Sequence, residues 1–107
     1  MRMQEKFYSE VLAAAPFLRD AVEKFLATLS PRMRELDEAL AKDAQEDLRA
    51  LAHRLKGTGG THGYPVLSDL ARLLEAAVKE HDLARAGALI ADIKKLIPRL
   101  VPEPPPR

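Results

Sequence analysis

Apolar residues recur along this chain at the spacing of helices, not of strands. Between Leu18 and Leu29, and again between Val66 and Val78, they fall at i, i+3, i+4 and i+7, which places them on one face of an α-helix. Two further stretches repeat the pattern, one around Leu48–Gly59 and one around Ala86–Ile97. The pattern predicts four principal helices, over residues 17–42, 43–62, 65–81 and 82–97.

Capping residues and glycines mark the predicted helix ends. Ser30 and Pro31 leave two possibilities for the first stretch: two helices with Ser30 as N-cap, or one long helix kinked at Pro31. Asp43 and Asp82 are expected to cap the helices that follow them. Gly63 is expected to end the central helix in the left-handed conformation.

The predicted helices divide the chain into three parts. Residues 1–15 form a short N-terminal helix or an irregular covering segment, and residues 16–100 form the helical bundle. Residues 101–107, rich in proline, are expected to be a disordered extension. Short connections between the helices favour an all-α, antiparallel up-down four-helix bundle with an additional N-terminal helical segment, and the pattern requires no β-strand.

Composition excludes several classes of protein. The 107 residues suffice for one domain, and their net charge of +1 gives no basic field of the kind that attracts nucleic acid. Without cysteine there is no disulfide framework, thiol catalysis or Cys-ligated zinc. Neither a signal peptide nor a membrane-spanning stretch is apparent, so we expect a cytoplasmic protein that does not enter a membrane.

The candidate chemistry lies on the outer face of the central helix. His53 projects about 140° away from the apolar stripe, while Arg49 and Lys56 project at about 100° and 80°. An exposed imidazole, largely neutral and nucleophilic at pH 7, therefore has two cations beside it that can offset an anionic group. This combination favours acceptance of a phosphoryl group.

Three glycines follow within the same helix, although each interior glycine costs about 0.5–1 kcal/mol relative to alanine. Gly59 faces the apolar stripe, where a neighbouring helix could approach closely. Gly57 and Gly60 lie on the His53 side, where the lack of side chains would let a partner protein reach the imidazole.

The segment His53–Gly59, followed by Gly63, resembles the signature of the histidine-containing phosphotransfer (HPt) domain family: His-x-Leu-Lys-Gly-Ser/Thr, a small residue, and a later glycine. Leu70, Leu73, Leu74 and Glu75 resemble the family's next helix, and the likeness extends over roughly Phe17–Leu100. Gly60 adds a glycine to the usual pattern, and His62 stands where the family often has an apolar or aromatic residue.

The resemblance implies a phosphocarrier of two-component phosphorelays that is not itself an enzyme. His53 would take a phosphoryl group through Nε2 from the aspartyl phosphate of a receiver domain and pass it to a second receiver. Lys56, with Arg49 as a second cation, would offset charge on the phosphoryl oxygens, and Gly57 would admit the receiver. The implied partners are response-regulator receivers and a hybrid histidine kinase. Mg²⁺ would be held by the receiver, and this chain, a monomer, would need no cofactor.

Two other functions stay open on sequence alone. One is a non-catalytic helical adaptor that binds a receiver through the same face. The other is the phosphoacceptor module of a larger histidine kinase. Metal binding is disfavoured because neither Glu-x-x-His nor His-x-x-x-His occurs, and His62 is expected to be a packing or capping residue.

Overall fold

The computed structural model describes residues 5–104, nearly all of them helical. Five α-helices follow one another along the chain: α1 Glu10–Ala14, α2 Arg19–Ala41, α3 Gln45–Thr61, α4 Pro65–Lys79 and α5 Leu83–Leu96. Single 3₁₀ turns at Pro16–Leu18 and Ile97–Arg99 flank the four long helices. The four principal helices expected from the apolar pattern are therefore confirmed, as is the short helix before them.

The four long helices enclose one hydrophobic core. α3 packs most extensively on α4, α4 packs on α5, α2 packs on α3, and contacts between α5 and α2 close the ring. The predicted inner face of α3 is confirmed by its buried residues, which are Leu48, Ala52, Leu55 and Gly59. Within the described residues 5–104, no helix is both long and apolar enough to cross a membrane.

Pro31 does not divide the first long helix. α2 runs without interruption from Arg19 to Ala41, so the interpretation of Ser30 as the cap of a new helix is wrong and the alternative of one long helix through Pro31 is confirmed in its continuity. Pro31 is exposed, while the buried stripe continues on both sides of it through Leu29 and Met33. Burial of that stripe offsets the one backbone hydrogen bond that proline removes.

The expected cap at Asp43 is also wrong. The N-cap of α3 is Ala44, and Asp43 lies one residue earlier in the left-handed region, with φ of 53°. Its carboxylate accepts a hydrogen bond from the side chain of Gln45 at 3.1 Å instead of from the helix backbone. At the start of α5 the expectation is confirmed, since Asp82 accepts from the backbone N–H of Arg85 at 3.1 Å.

Two segments, one near the start and one near the end of the described residues, form a small parallel pair of strands, contrary to the expectation that no strand is needed. β1, Phe7–Tyr8, pairs with β2, Leu100–Val101. Beyond β2, the Pro102 carbonyl accepts from Ser9 N–H at 3.1 Å, and Glu103 forms an ion pair with Arg19. The first part of the expected disordered tail is thus packed on the N-terminal segment; residues 1–4 and 105–107 lie outside the described part.

α1 covers the C-terminal end of α3. Buried Ser9 caps α1 by accepting from Leu12 N–H, and its hydroxyl donates to the His62 carbonyl at 2.7 Å. Gly63 has φ of 87°, as predicted, and its carbonyl accepts from Glu10 N–H at 2.9 Å. An added Cβ at Gly63 would lie 2.6 Å from the Val11 backbone nitrogen, so this close contact also requires glycine.

Candidate functional site

His53 projects into solvent from the middle of α3. Its side chain is 67% exposed, whereas Ala52 and Leu55 beside it are buried in the core. The exposed fraction agrees with the position that helical periodicity assigns to it. A reacting group on another molecule can therefore reach the imidazole without any opening of the bundle.

The ring of His53 is oriented by a carboxylate of α4. His53 Nδ1 lies 3.1 Å from Glu75 Oε2, and because an ionised carboxylate can only accept, Nδ1–H is the donor. In the neutral ring this hydrogen bond leaves Nε2 without a proton and with its lone pair available. The contact with Glu75 thus holds the neutral imidazole of His53 in one tautomer.

Glu75 links the two candidate functional residues of α3. Its second oxygen, Oε1, lies 3.2 Å from Lys56 Nζ, so one carboxylate contacts both Lys56 and His53. The Glu75 side chain is only 10% exposed. Burial acts to raise the pKa of Glu75, but the hydrogen bonds and positive charges of Lys56 and His53 outweigh it and lower that pKa below its usual value. Glu75 is therefore an anion at neutral pH.

An open depression of about 780 Å³ adjoins His53 on the N-terminal side of α3. Arg49, one of the cations singled out in the sequence, lines it together with Arg54. Lys79 of α4 contributes a third cation, whereas Glu46 contributes a negative charge. Glu75 lines the depression as well, so its three cations stand beside two acids.

The three helical glycines have different surroundings. An added Cβ at Gly57 would meet nothing within 4 Å, so this exposed position is open. At Gly59 it would lie 3.3 Å from both Leu67 Cγ and Ser68 N, which confirms the close approach of a neighbouring helix. Gly60 is exposed, but its Cβ position is 3.6 Å from Ser68 Oγ, at the border with α4.

Two residues of this site had no role assigned from the sequence, Glu75 and Lys79. Glu75 could have been found because it follows Leu74 within the apolar stripe of α4, and a buried carboxylate requires a cationic or hydrogen-bonding partner. Lys79 is one helical turn further along the same helix. No sequence signal distinguishes it from the other exposed lysines.

The remaining histidines lie apart from His53. The ring of His62 stacks on Phe25 with centroids 4.3 Å apart, and its Nδ1–H donates to the Thr58 carbonyl at 2.7 Å. His62 is thus the packing residue that was expected. His81 is exposed in the turn between α4 and α5 with φ of 59°. In the part of the chain that the structure describes, no three His, Asp or Glu residues are grouped to hold a metal ion.

Comparison with known families gives a match over most of the chain. The family model described as Hpt domain matches residues 20–102, which include all of α2 except its first residue, α3 to α5, the strand β2 and Pro102. No curated protein and no solved structure matches the chain at a significant level.

Proposed function

This chain belongs to the Hpt domain family, and on that premise we propose that His53 carries a phosphoryl group between receiver domains of a two-component phosphorelay. The family itself implies histidine phosphotransfer. The assignment to His53 rests chiefly on one observation: a largely exposed imidazole whose Nδ1–H is held by the ionised Glu75.

In the proposed reaction, Nε2 of His53 attacks the phosphorus of an aspartyl phosphate on a receiver. The new N–P bond forms as the P–O bond to the aspartate breaks, and the aspartate leaves as a carboxylate. Nε2 carries no proton at the start, so none has to be removed. The phosphorylated ring keeps its Nδ1–H and becomes positive, a charge that Glu75 stabilises through the existing hydrogen bond.

Lys56 is proposed to offset negative charge on the transferred phosphoryl oxygens. Its ammonium is fixed beside His53 by Glu75 rather than free in solvent, which lowers the entropy lost in binding the phosphoryl group. Arg49 lines the adjoining depression and is proposed as a second docking cation, while Gly57 and Gly60 would leave room for the receiver surface. Mg²⁺ and its carboxylate ligands are assigned to the receiver, and no cofactor to this chain.

We further infer that the bundle is antiparallel and that the protein acts as a cytoplasmic monomer. Connections of three residues join consecutive long helices, at 42–44, 62–64 and 80–82. Contacts of His53 with Glu75 and of Gly59 with Leu67 support opposite directions for α3 and α4, because the partner number falls as the residue number rises. The chain would take phosphate from a phosphorylated receiver of a response regulator or hybrid kinase and would have no kinase activity of its own.

The proposal is tested by incubating the protein with receiver domains phosphorylated by acetyl phosphate. We expect transfer of label to this chain as phosphate that is acid-labile and base-stable. His53→Gln should abolish labelling and leave the melting temperature nearly unchanged, since an exposed side chain contributes little to stability and Lys56 still contacts Glu75. His81→Gln, another exposed histidine, is the matched control and should be labelled as the wild type is.

Labelling that persists in His53→Gln would assign phosphorylation to another residue. A wild-type protein that binds a receiver but is never labelled would favour the non-catalytic adaptor. Either result would contradict the proposed function.

A further inference from the structure

Two large apolar side chains are exposed among the described residues, and both lie beside one pocket. Phe17 is 85% exposed and Tyr8 is 41% exposed. Tyr8 lines an open pocket of about 440 Å³, and Phe17 stands in the sequence between Pro16 and Arg19, which line it too. Single exposed apolar residues are common on protein surfaces, but two aromatic residues beside one pocket indicate an interaction surface.

The walls of this pocket are mainly proline and small apolar residues. We call it the N-terminal pocket, and the residues that form it include Tyr8, Leu12, Pro16, Arg19, Pro102 and Pro104. Glu103, between the last two prolines, forms an ion pair with Arg19 and so joins the segment after β2 to the start of α2. Because each proline ring fixes its own backbone angle φ, little conformational freedom remains to be lost when the pocket is filled.

The N-terminal pocket is separate from His53. Its helix α1 is held at the C-terminal end of α3, where the Ser9 hydroxyl donates to the His62 carbonyl at 2.7 Å. His62 follows His53 by nine residues, or about 14 Å along a helix. The strand β1 and the helix α1 also precede residue 20, where the family match begins. A protein bound at this pocket can therefore leave His53 accessible.

The charged groups around the N-terminal pocket are mostly carboxylates. Arg19 is the one cation among the described residues that line it, and both Glu23 and Glu103 pair with its guanidinium. Glu10 begins α1 and Asp20 follows Arg19, and both are exposed. Within residues 5–104, no Lys, Arg or His nitrogen lies within 4.0 Å of either carboxylate. This surface consequently carries an excess of negative charge.

We propose that the N-terminal pocket binds a basic segment of a partner protein, with an apolar side chain in the pocket and arginine residues on both sides of it. The apolar side chain would contact Leu12 and Pro104. The arginines would face Glu10 and Asp20, so that charge complementarity selects a basic segment over an acidic one. The inference goes beyond the proposed function, because binding at this pocket requires no contact with His53.

The exposed aromatic rings also favour arginine in the partner. A guanidinium group over the face of an aromatic ring is attracted by the negative charge of that face. The protein itself contains this contact, since the Arg99 guanidinium carbon lies 4.9 Å from the centroid of the Phe7 ring. Phe17, at 85% exposed, offers its ring to a guanidinium of another molecule. Carboxylates and an aromatic ring on one surface thus act on the same kind of ligand.

The inference is tested with two synthetic peptides that share a central Leu-Pro-Leu sequence. One has two Arg residues on each side of it, and the other has two Glu residues on each side. Titrated into the full-length ¹⁵N-labelled protein at low salt, the Arg peptide should bind about tenfold more tightly than the Glu peptide. Its amide shifts should centre on Tyr8, Ala13, Phe17 and Arg19, and the preference should weaken as salt is added.

Two variants assign this binding to the N-terminal pocket. Phe17→Ser and Glu10→Gln/Asp20→Asn should each weaken binding of the Arg peptide severalfold. The matched control is Glu38→Gln/Asp92→Asn, which removes the same charge from exposed positions outside the pocket and should bind as the wild type does. Equal binding of the two peptides, shifts centred elsewhere, or unchanged binding in Glu10→Gln/Asp20→Asn would overturn the inference.

Phosphoryl transfer and self-association distinguish this inference from other roles of the surface. Phe17→Ser should accept phosphate from a phosphorylated receiver at the wild-type rate, whereas a slower rate would place Phe17 in the receiver interface and overturn the inference. Self-association of the wild type that Phe17→Ser abolishes, measured by sedimentation, would assign the surface to a second copy and overturn it as well. Absence of any transfer in the wild type would overturn the proposed function, and the peptide preference would still test the pocket.

Discussion

Glu75 fixes the orientation of the exposed His53 side chain. A surface imidazole in water exchanges its proton between two nitrogens and rotates freely, whereas Glu75 accepts from Nδ1–H at 3.1 Å and fixes both tautomer and ring. The same carboxylate positions Lys56 at 3.2 Å. Three side chains from two helices therefore act as a unit, in which the buried member sets the geometry of the exposed ones.

Glu75→Gln should destabilise the protein at neutral pH by about 1 kcal/mol, because it removes the negative charge that Lys56 and the Nδ1–H of His53 both contact. The pKa of Glu75 is lowered in the folded protein, so its contribution is present above the pKa of the unfolded chain and is lost as pH falls through the folded value. The difference in the free energy of unfolding between wild type and Glu75→Gln, measured by urea denaturation, should therefore shrink below about pH 4–5. A difference that grows as the pH falls below about 4 would show that the carboxylate is not stabilised as an anion.

Substitutions at Gly57 should affect the stability of the protein and its rate of phosphoryl transfer differently. Gly57→Ala should stabilise α3 by up to about 1 kcal/mol, since the added methyl group meets nothing and alanine is the better helix former. Gly57→Gln should fold equally well but block phosphoryl transfer, because its side chain would stand between His53 and the receiver. Thermal denaturation and the transfer rate are the two measurements.

Gly59→Ala is the contrasting control for Gly57. Its methyl group would lie 3.3 Å from Leu67 Cγ and Ser68 N, so the contact between α3 and α4 would have to shift and stability should fall. Transfer at the wild-type rate in Gly57→Gln would mean that no partner surface comes near His53 on that side.

At the scale of elements, α2 shows that core packing can outweigh residues that locally favour the end of a helix. Ser30 and Pro31 are a favourable start for a new helix, yet α2 continues through them with Leu29 and Met33 both buried. The free energy of burying a continuous stripe exceeds the local preference of two exposed residues.

Pro31→Ala should consequently stabilise the protein by about 1–3 kcal/mol. Alanine supplies the backbone N–H that proline lacks and relieves the contact of the proline ring with the preceding turn. Pro31 is exposed, so no core contact is lost. Chemical denaturation measures the change, with Ser30→Ala as a neighbouring control of small effect. A destabilised Pro31→Ala would mean that the proline ring makes a packing contact important for α2.

At the scale of the whole molecule, the segments that contain β1 and β2 are joined over the end of the bundle where α3 stops. β1 pairs with β2, Ser9 bonds to the His62 carbonyl, and the hydroxyl of Tyr64 donates to the Val101 carbonyl at 2.7 Å. Tyr64 is completely buried. This arrangement fixes the turn after α3, and with it the register of α4 and Glu75 against His53.

Alkaline pH should destabilise the molecule through Tyr64. Burial raises its pKa from 10.0 to about 12, so its contribution to stability is present below pH 10 and is lost as pH rises toward 12. Measured by urea denaturation, the free energy of unfolding should fall by about 2–3 kcal/mol through this ionisation as the pH rises from 10 to 12. This part of the fall should be absent in Tyr64→Phe. Tyr8→Phe is the control, since Tyr8 is 41% exposed. An unchanged alkaline profile in Tyr64→Phe would contradict this assignment.

The sequence by itself determined the helices, their inner faces and the exposed position of His53, because helical periodicity is a local property that each stripe repeats several times. It also predicted that Lys56 and Gly57 lie on the outer side of α3 near His53 and that the chain turns at Gly63, since each of these depends on neighbours within one helix. Predictions failed where a local signal competed with packing, as at Pro31 and Asp43.

Only the tertiary structure decided which residues from different helices meet. The contact of Glu75 with His53 depends on the register of α4 against α3, which the close approach at Gly59 and the turn at Gly63 set together. The pairing of β1 with β2 joins residues more than ninety positions apart. No periodic pattern encodes such contacts, because their free energy comes from the simultaneous packing of the whole chain.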